Sequence, residues 1–324
     1  VYKFEVLATS AARESDRSAA LTQSTSPAAV GAITFGSVKM ESMVLTWSAP
    51  AGGAPTGYIV YRDDGDGATP SIVAYDGTGA TATTATISDL TGGTAYSYVV
   101  ASLSAAGVGD VSAVATQSTS PATPLDLSST LQTSTSISLS WSASVVQSGG
   151  AAVTGYKVYQ DDVVHEYEGS ATTTDLTVDP GTLYAFAVSA VSAAGEGELS
   201  SELSQSSTPG APDAPTSDHQ TSTSISLSWT APSSDSASGD DATRYRVYDS
   251  SSAVLYDGED AEYTHDGLAG GTSHSYTVSA LSGSGEGDAS ASAALYTSPG
   301  VATGLTASDQ TTSSIKLDWS APSV

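Results

Sequence analysis

Short runs of aspartate are the residues in this chain whose types and spacing could bind an ion. Asp63, Asp64 and Asp66 form one run, and Asp240 and Asp241 belong to another. Carboxylate oxygens can coordinate Ca²⁺, although this spacing does not match an EF-hand loop. Aspartate also favours turns, where its side chain binds nearby backbone groups. We therefore expect solvated acidic turns, with calcium binding at these positions as the weaker alternative.

Catalytic chemistry has few candidate residues. The histidines are His165, His219, His265 and His274, and no two of them have the spacing of a metal-binding pair. The absence of cysteine excludes thiol catalysis and zinc–thiolate sites. A glycosidase needs two carboxylates that face each other across a cleft, whereas the carboxylates here stand mostly in turns. The sequence therefore predicts no catalytic residue, no cofactor and no metal ligand apart from the aspartates above.

A Gly-x-Gly pattern recurs at Gly107, Gly195 and Gly285. A dinucleotide-binding loop would need a third glycine and a following helix, and the sequence provides neither at these places. The pattern instead predicts a hairpin turn between the last two strands of a repeated unit.

The charge balance restricts the possible partners. Nine Lys and Arg residues against 35 Asp and Glu give a formal net charge of −26. Such a surface repels phosphates and anionic lipids, which argues against nucleic-acid and membrane-surface partners. No apolar run reaches the roughly 18 residues that a membrane span needs, and no signal peptide is visible. We expect no membrane span in this segment.

The chain is organised around four tryptophans at intervals of about 90 residues. The decapeptide that ends at Trp141 recurs letter for letter in the ten residues that end at Trp229. Looser copies end at Trp47 and Trp319. Within the decapeptide, apolar residues alternate with serine, which predicts a half-buried strand. A unit of this size can bury a core of its own, so the repeats are predicted to be separate domains.

Domain boundaries follow from prolines that keep the same interval: Pro27, Pro121, Pro209 and Pro299. The predicted complete domains span 28–121, 122–209 and 210–299. Residues 1–27 are predicted to be the C-terminal part of one further domain, and residues 300–324 the N-terminal part of another. Each complete unit shows about seven short strands with turn signals every 8–12 residues, the pattern of an antiparallel β-sandwich.

These residues resemble the fibronectin type III domain over the whole chain. The family places a tryptophan on the second strand and a Tyr-x-Val pattern on the third, as at Tyr156 and Val158. Its best-known motif is a Leu or Val, a Pro-Gly-Thr-type turn and a tyrosine six residues on. Val178 to Tyr184 fits it closely, and Leu90 to Tyr96 fits it with glycine in place of proline.

The resemblance implies tandem immunoglobulin-like sandwiches in an extended rod. It also implies a tyrosine corner, in which the hydroxyl bonds to upstream backbone while the ring packs into the core. The third unit departs from the motif, because His274 stands six residues after Leu268, and we expect a weaker corner there. The residues expected in the cores are Trp47, Trp141, Trp229, Trp319, Tyr58, Tyr156, Tyr245, Tyr96 and Tyr184.

The connections between units are short and rich in proline, which should limit bending. Pro212 and Pro215 fall on a presumed first strand, which would then be an edge strand. We expect a non-catalytic structural repeat protein, a window from a longer extracellular or surface fibre or rod-like spacer. Its partners would be other copies, neighbouring domains or O-linked glycans. The alternatives are an adhesive or receptor ectodomain, and spacer modules of a secreted polysaccharide hydrolase.

Overall fold

The computed structural model describes residues 1–52, 54–147, 149–233 and 241–322, and for residues 165–168 it describes the backbone alone. Regular structure in these residues consists of β-strands. Six of the sheets pair into three successive β-sandwiches, each with its own hydrophobic core. The all-β, immunoglobulin-like fold class predicted from the sequence is therefore confirmed.

A two-stranded sheet precedes the first sandwich and is made of β1 (Tyr2–Phe4) and β2 (Leu21–Gln23). The strands of the first sandwich are β3 (Thr34–Gly36), β4 (Met43–Thr46), β5 (Gly57–Arg62), β6 (Ile72–Thr78), β7 (Thr84–Ile87), β8 (Ala95–Ser104), β9 (Gly107–Val111) and β10 (Ala115–Ser118). One sheet has the order β3-β4-β7, and the other has the order β10-β8-β5-β6 with β9 also paired to β8.

The second and third sandwiches repeat this topology. The second contains β11 (Leu125–Gln132), β12 (Ser136–Ser142), β13 (Val153–Gln160), β14 (Val163–Gly169), β15 (Thr173–Thr177), β16 (Leu183–Ser192), β17 (Gly195–Glu196) and β18 (Leu203–Ser206). The third contains β19 (Thr216–Gln220), β20 (Ser224–Ser228), β21 (Arg244–Asp249), β22 (Val254–Gly258), β23 (Glu262–Asp266), β24 (Ser273–Ser282), β25 (Gly285–Ala289) and β26 (Ala293–Tyr296). A final pair, β27 (Thr303–Ser308) and β28 (Lys316–Ser320), follows.

Alternation in the repeated decapeptide produces the core. On β12, the side chains of Ile137, Leu139 and Trp141 are buried, and the serines between them are only half-buried. The identical decapeptide gives the same burial on β20. Because strand side chains point alternately to the two faces, one short pattern fixes which face meets the opposite sheet.

Each buried tryptophan meets a tyrosine of the opposite sheet edge to face. The ring centroids of Trp47 and Tyr58 are 5.4 Å apart, with an interplanar angle of 68°. The other two sandwiches repeat the contact at 5.5 and 5.6 Å and 66°, as Trp141–Tyr156 and Trp229–Tyr245. This geometry brings the positive edge of one ring to the negative face of the other, which stabilises the pair beyond its buried area.

The core placement of Trp319 predicted from the sequence is wrong for this structure, because the side chain is 64% exposed. Trp319 lies on β28, which pairs with β27 alone among the described strands. No second sheet therefore covers its ring, whereas the other three tryptophans are each buried between two sheets.

The last strand of each sandwich is interrupted by a serine. Ser112 lies between β9 and β10, where its Oγ accepts the Val100 N–H at 3.1 Å and its N–H donates to the Val100 carbonyl at 2.9 Å. Ser200 and Ser290 make the same pair of bonds. A hydroxyl that takes the place of a carbonyl lets the strand bulge without losing a bond. The described part of each sandwich therefore has eight strand segments, where the turn spacing predicts about seven.

The expectation that Pro212 and Pro215 lie on the first strand of the third unit is also wrong. Both prolines precede β19, which begins at Thr216. Proline has no N–H to donate, so the regular strand begins only after the second proline, although the Asp213 N–H between the two prolines already donates to the Thr230 carbonyl at 3.3 Å.

Replacing Trp141 by alanine should destabilise the second sandwich by about 3–5 kcal/mol, because a large buried ring is lost. The matched variant Trp319→Ala should change stability by less than about 0.5 kcal/mol, as expected for an exposed position. Amide hydrogen exchange read separately on β12 and β28 measures both effects. Equal effects at the two positions would contradict the difference in burial.

Candidate functional site: the joints between sandwiches

Consecutive sandwiches are connected through a tripeptide of two hydroxyl residues and a proline. These joint tripeptides are Thr119–Pro121, Ser207–Pro209 and Thr297–Pro299. The first two are buried although they lie outside any strand: Thr119 and Ser207 are 0% exposed, and Ser120 is 1% exposed. In the third, Thr297 is buried, whereas Ser298 and Pro299 are exposed. Buried polar groups outside regular structure need specific partners. The hydroxyl of the first residue and the backbone of the second have such partners, whereas the buried Ser120 hydroxyl has no hydrogen-bond partner among the described residues.

The first residue holds the tripeptide to the preceding sandwich through its hydroxyl. Thr119 Oγ1 accepts the Thr94 N–H at 3.0 Å and donates to the Thr91 carbonyl at 2.7 Å. Ser207 makes the same two bonds with Thr182 and Asp179. Thr297 makes them with Thr272 and Ala269. The hydroxyl thus closes the turn that precedes β8, β16 or β24.

The second residue adds two backbone bonds to the same sandwich. The Ser120 carbonyl accepts the Gly93 N–H at 2.8 Å, and the Ser120 N–H donates to the Lys39 carbonyl at 3.3 Å. Thr208 and Ser298 repeat this pattern. The donor glycine has a φ of +67° at Gly93 and similar values at its two equivalents, so glycine is favoured at this turn position.

The proline is held by the following sandwich. A Cβ added to Gly197 would lie 2.5 Å from the Pro121 carbonyl oxygen, and one added to Gly109 would lie 2.5 Å from that of Pro27. A Cβ added to Gly287 would lie only 2.0 Å from the Pro209 carbonyl oxygen. The second glycine of each Gly-x-Gly turn therefore permits this approach. The joints at Pro121 and Pro209 are consequently anchored on both sides.

In the second and third sandwiches, the middle residue of the Gly-x-Gly turn is a glutamate that fixes the turn to its own sheet. Glu196 accepts hydrogen bonds from Lys157 Nζ at 2.5 Å, Tyr159 at 2.5 Å and Ser189 at 2.6 Å. Partial burial raises the pKa of the Glu196 carboxyl, but the three hydrogen bonds outweigh it and hold that pKa below its usual value. Glu286 has the same role in the third sandwich.

Further bonds cross each of the two doubly anchored joints. In the first, the Gln147 N–H donates to the Gly93 carbonyl at 3.1 Å. In the second, Ser284 Oγ donates to the Ser207 carbonyl at 2.9 Å, and Ser134 Oγ donates to the Asp288 carboxylate. These bonds connect the two neighbouring sandwiches directly.

The corner tyrosines contact the same turns that hold the joint tripeptides. The Tyr184 hydroxyl accepts the Asp179 N–H at 2.8 Å, and the Tyr96 hydroxyl accepts the Thr91 N–H at 3.0 Å. Both rings are buried. In the third sandwich, His274 Nε2 instead lies 2.8 Å from Thr272 Oγ1, a side chain of the corner turn. The core and the joint thus share one turn in each sandwich.

The described aspartates among the proposed calcium ligands do not form a common site. Asp63 is buried and its Oδ1 accepts the N–H groups of Ser97 and Gly65, at 3.0 and 3.3 Å. Asp64, Asp66 and Asp241 are exposed, and Asp240 lies outside the described residues. Across the described part of the chain, no group of three or more His, Cys, Asp or Glu is placed to hold a metal ion.

The structure brings together two histidines that sequence reasoning treated as separate. The rings of His265 on β23 and His274 on β24 are 6.1 Å apart. His219 is exposed on β19, and the side chain of His165 lies outside the described residues. The strand register could have indicated this contact. His265 pairs with Ile225 in the third sandwich, just as the buried Leu176 pairs with Ile137 in the second, so His265 occupies a core position.

The fold and the joints define a class of protein. It is a tandem array of immunoglobulin-like β-sandwiches with short connections that are anchored to their neighbours. The family model described as "Fibronectin type III domain" matches residues 28–118, 122–206 and 210–295. These matches cover most of the chain, which therefore belongs to the fibronectin type III family. Within the described residues, no helix has the length and apolar character that crossing a bilayer requires.

Similar proteins include enzymes and a receptor. Exoglucanase B of Cellulomonas fimi is 30% identical over 290 residues, which are 84% of this chain and 25% of that protein. Chitinase A1 of Niallia circulans is 36% identical over 182 residues, 53% of this chain and 24% of that protein. Receptor-type tyrosine-protein phosphatase eta of Gallus gallus is 28% identical and is matched over 98% of this chain and 22% of its own length. The chain thus spans about a quarter of the length of these relatives.

Among solved structures, the crystal structure of chicken CNTN1 FN1-FN3 domains matches 84% of this chain and 99% of that chain. The sequence identity is 17% and the TM-score is 0.29.

Replacing Gly197 by alanine should loosen the joint at Pro121, because the new Cβ cannot share space with the Pro121 carbonyl. We expect hydrogen exchange of the Gly93 and Gln147 amides to accelerate by about tenfold, which corresponds to about 1.4 kcal/mol, with β16 amides unchanged. The control is Gly155→Ala, where the nearest atom to a Cβ lies 3.5 Å away. Identical exchange in the two variants would refute the role of Gly197.

Calcium should leave the thermal stability of the chain unchanged, because the carboxylates of the described candidates Asp63, Asp64, Asp66 and Asp241 form no group that could hold a metal ion. A site with a Kd 100-fold below the added calcium concentration would raise the free energy of unfolding by about 2.7 kcal/mol. Calorimetry in calcium and in EDTA measures the difference. A higher Tm in calcium that disappears in the Asp64→Asn, Asp66→Asn variant would assign a calcium site to that turn.

Proposed function

We propose that this chain is a non-catalytic, rod-like spacer segment of a larger protein that acts outside the cell. The observation that carries the proposal is the anchoring of the joint tripeptides on both sides at Pro121 and Pro209. A connection whose hydroxyl and backbone groups are bound to one sandwich, and whose proline packs on the next, has little freedom to bend. Successive sandwiches would then keep a set orientation and hold the ends of the segment apart.

The dimensions and the charge of the chain support this role. The long strands β8, β16 and β24 have 10 residues each, which gives about 33 Å of length per sandwich. The net charge of −26 keeps neighbouring rods apart and favours solubility. O-linked glycans on such a rod would need exposed hydroxyls, which Thr119 and Ser120 do not offer because both are buried.

A second candidate is a more specific form of the first, a spacer within a secreted polysaccharide hydrolase. The observation in its favour is that Exoglucanase B and Chitinase A1, two of the matching relatives, are named for polysaccharide substrates. Such polymers lie outside cells and are too large to enter them. In this form, the sandwiches would set the distance between a catalytic domain and another part of the same enzyme.

Small-angle X-ray scattering of the whole chain tests the spacer proposal. A compact protein of this length would have a radius of gyration of about 20 Å. Sandwiches arranged end to end at about 33 Å each should give about 30–40 Å. A value near that of a compact particle, or one that changes strongly with salt concentration, would contradict a stiff extended segment.

Activity measurements and the flanking sequence separate the candidates. The chain alone should release no reducing sugar from cellulose or chitin, because no paired carboxylates are predicted. A catalytic domain encoded next to this segment would support the hydrolase spacer, and further sandwiches on both sides would support a surface fibre.

A further inference from the structure

The core of the third sandwich differs from its neighbours at two facing positions. On β23, His265 takes the place of Ile87 and Leu176, which are buried in the first and second sandwiches. On β24, His274 takes the place of the corner tyrosines Tyr96 and Tyr184. The two strands belong to opposite sheets, and the histidine rings meet with centroids 6.1 Å apart. Both rings are half-buried.

Each histidine has one hydrogen-bond partner within the sandwich. His265 Nδ1 lies 3.0 Å from the hydroxyl of Tyr276, a residue that is 1% exposed. His274 Nε2 lies 2.8 Å from Thr272 Oγ1. Because Thr272 Oγ1 donates to the Ala269 carbonyl at 2.6 Å, it can only accept from His274. In the neutral tautomer with the proton on Nε2, His265 Nδ1 accepts from the Tyr276 hydroxyl, and protonation of that tautomer would make Nδ1 a donor and reverse the bond.

The groups around His265 do not favour a positive charge overall. Partial burial and then the neighbouring His274 lower the pKa of His265, and Asp249 and Asp266 only partly oppose them. Tyr263, whose ring is stacked on His265, has a pKa raised by burial and by Asp266. Burial raises the pKa of Tyr276 to about 12, so both tyrosines stay neutral in acid.

The sign of the pH effect follows from this arrangement. A histidine whose pKa is lower in the fold than in the unfolded chain binds its proton first in the unfolded chain. Its contribution to stability is complete above the ordinary pKa of about 6.5. That contribution is lost as the pH falls from there through the lower pKa of the folded state.

We propose that the third sandwich is an acid-sensitive module, which opens at the His265–His274 pair while its neighbours stay folded. The pair also lies next to a joint, since Thr272 and Ala269 bind the hydroxyl of Thr297 in the joint tripeptide. Opening this corner therefore releases the connection that follows the third sandwich. The proposal does not depend on the spacer function, because it concerns the stability of one domain.

Hydrogen exchange of the whole chain at pH 7.5 and pH 5.0 tests the proposal, with protection factors corrected for the intrinsic pH dependence. Relative to β16, the amides of β24 should lose protection by about threefold or more at the lower pH. The first and second sandwiches serve as internal controls, because they carry Ile87 with Tyr96 and Leu176 with Tyr184 at these positions. An equal change in all three sandwiches would overturn the proposal.

The matched variant His265→Leu, His274→Tyr gives the third sandwich the residue types of the second. Its β24 amides should keep their protection at pH 5.0, and a loss as large as in the unmodified chain would overturn the proposal. If this variant fails to fold at pH 7.5, NMR titration of the unmodified chain decides. A pKa of His265 at or above about 6.5 in the folded chain would refute the proposal, and a lower one would support it.

Discussion

In each joint, one buried hydroxyl attaches the connecting tripeptide to the corner turn of the preceding sandwich. Thr119, the example in the first joint, closes the corner turn of the preceding sandwich with two hydrogen bonds. The next residue extends that attachment through its backbone, and the proline then contacts the following sandwich. Because the hydroxyl is fully buried, losing either of its partners would leave an unsatisfied polar group, which costs about 1–3 kcal/mol.

The corner turn couples two regions that are otherwise separate. On one side, the Tyr184 ring packs in the core and its hydroxyl binds the Asp179 N–H. On the other side, the Asp179 carbonyl accepts the hydroxyl of Ser207 in the joint. Changes in the core at the corner position therefore reach the joint through one short turn. In the third sandwich, His274 stands at this position and contacts Thr272, whose N–H donates to the hydroxyl of Thr297 in the joint.

The fold could be predicted from the sequence because its signals are local and repeated. The decapeptide before Trp141 shows its alternation directly, and the motif that ends at Tyr184 identifies the corner. The short, proline-containing connections could be predicted, but the bonds that anchor them could not, because the bond between Thr94 and Thr119 joins residues 25 positions apart. The His265–His274 contact was missed for a similar reason, since it forms across two sheets. The exposed position of Trp319 depends on which strands cover it, and a single strand pattern does not contain that information.

The stiffness of the joints is the central claim, and the distance between the first two sandwiches tests it most directly. The chain has no cysteine, so spin labels can be placed uniquely at Thr86→Cys and Thr177→Cys, two exposed positions on β7 and β15. Pulsed electron paramagnetic resonance then gives the distribution of label separations. Anchored joints predict one narrow distribution, which broadens when Gly197 is replaced by alanine. A broad distribution in the unmodified chain would contradict the account.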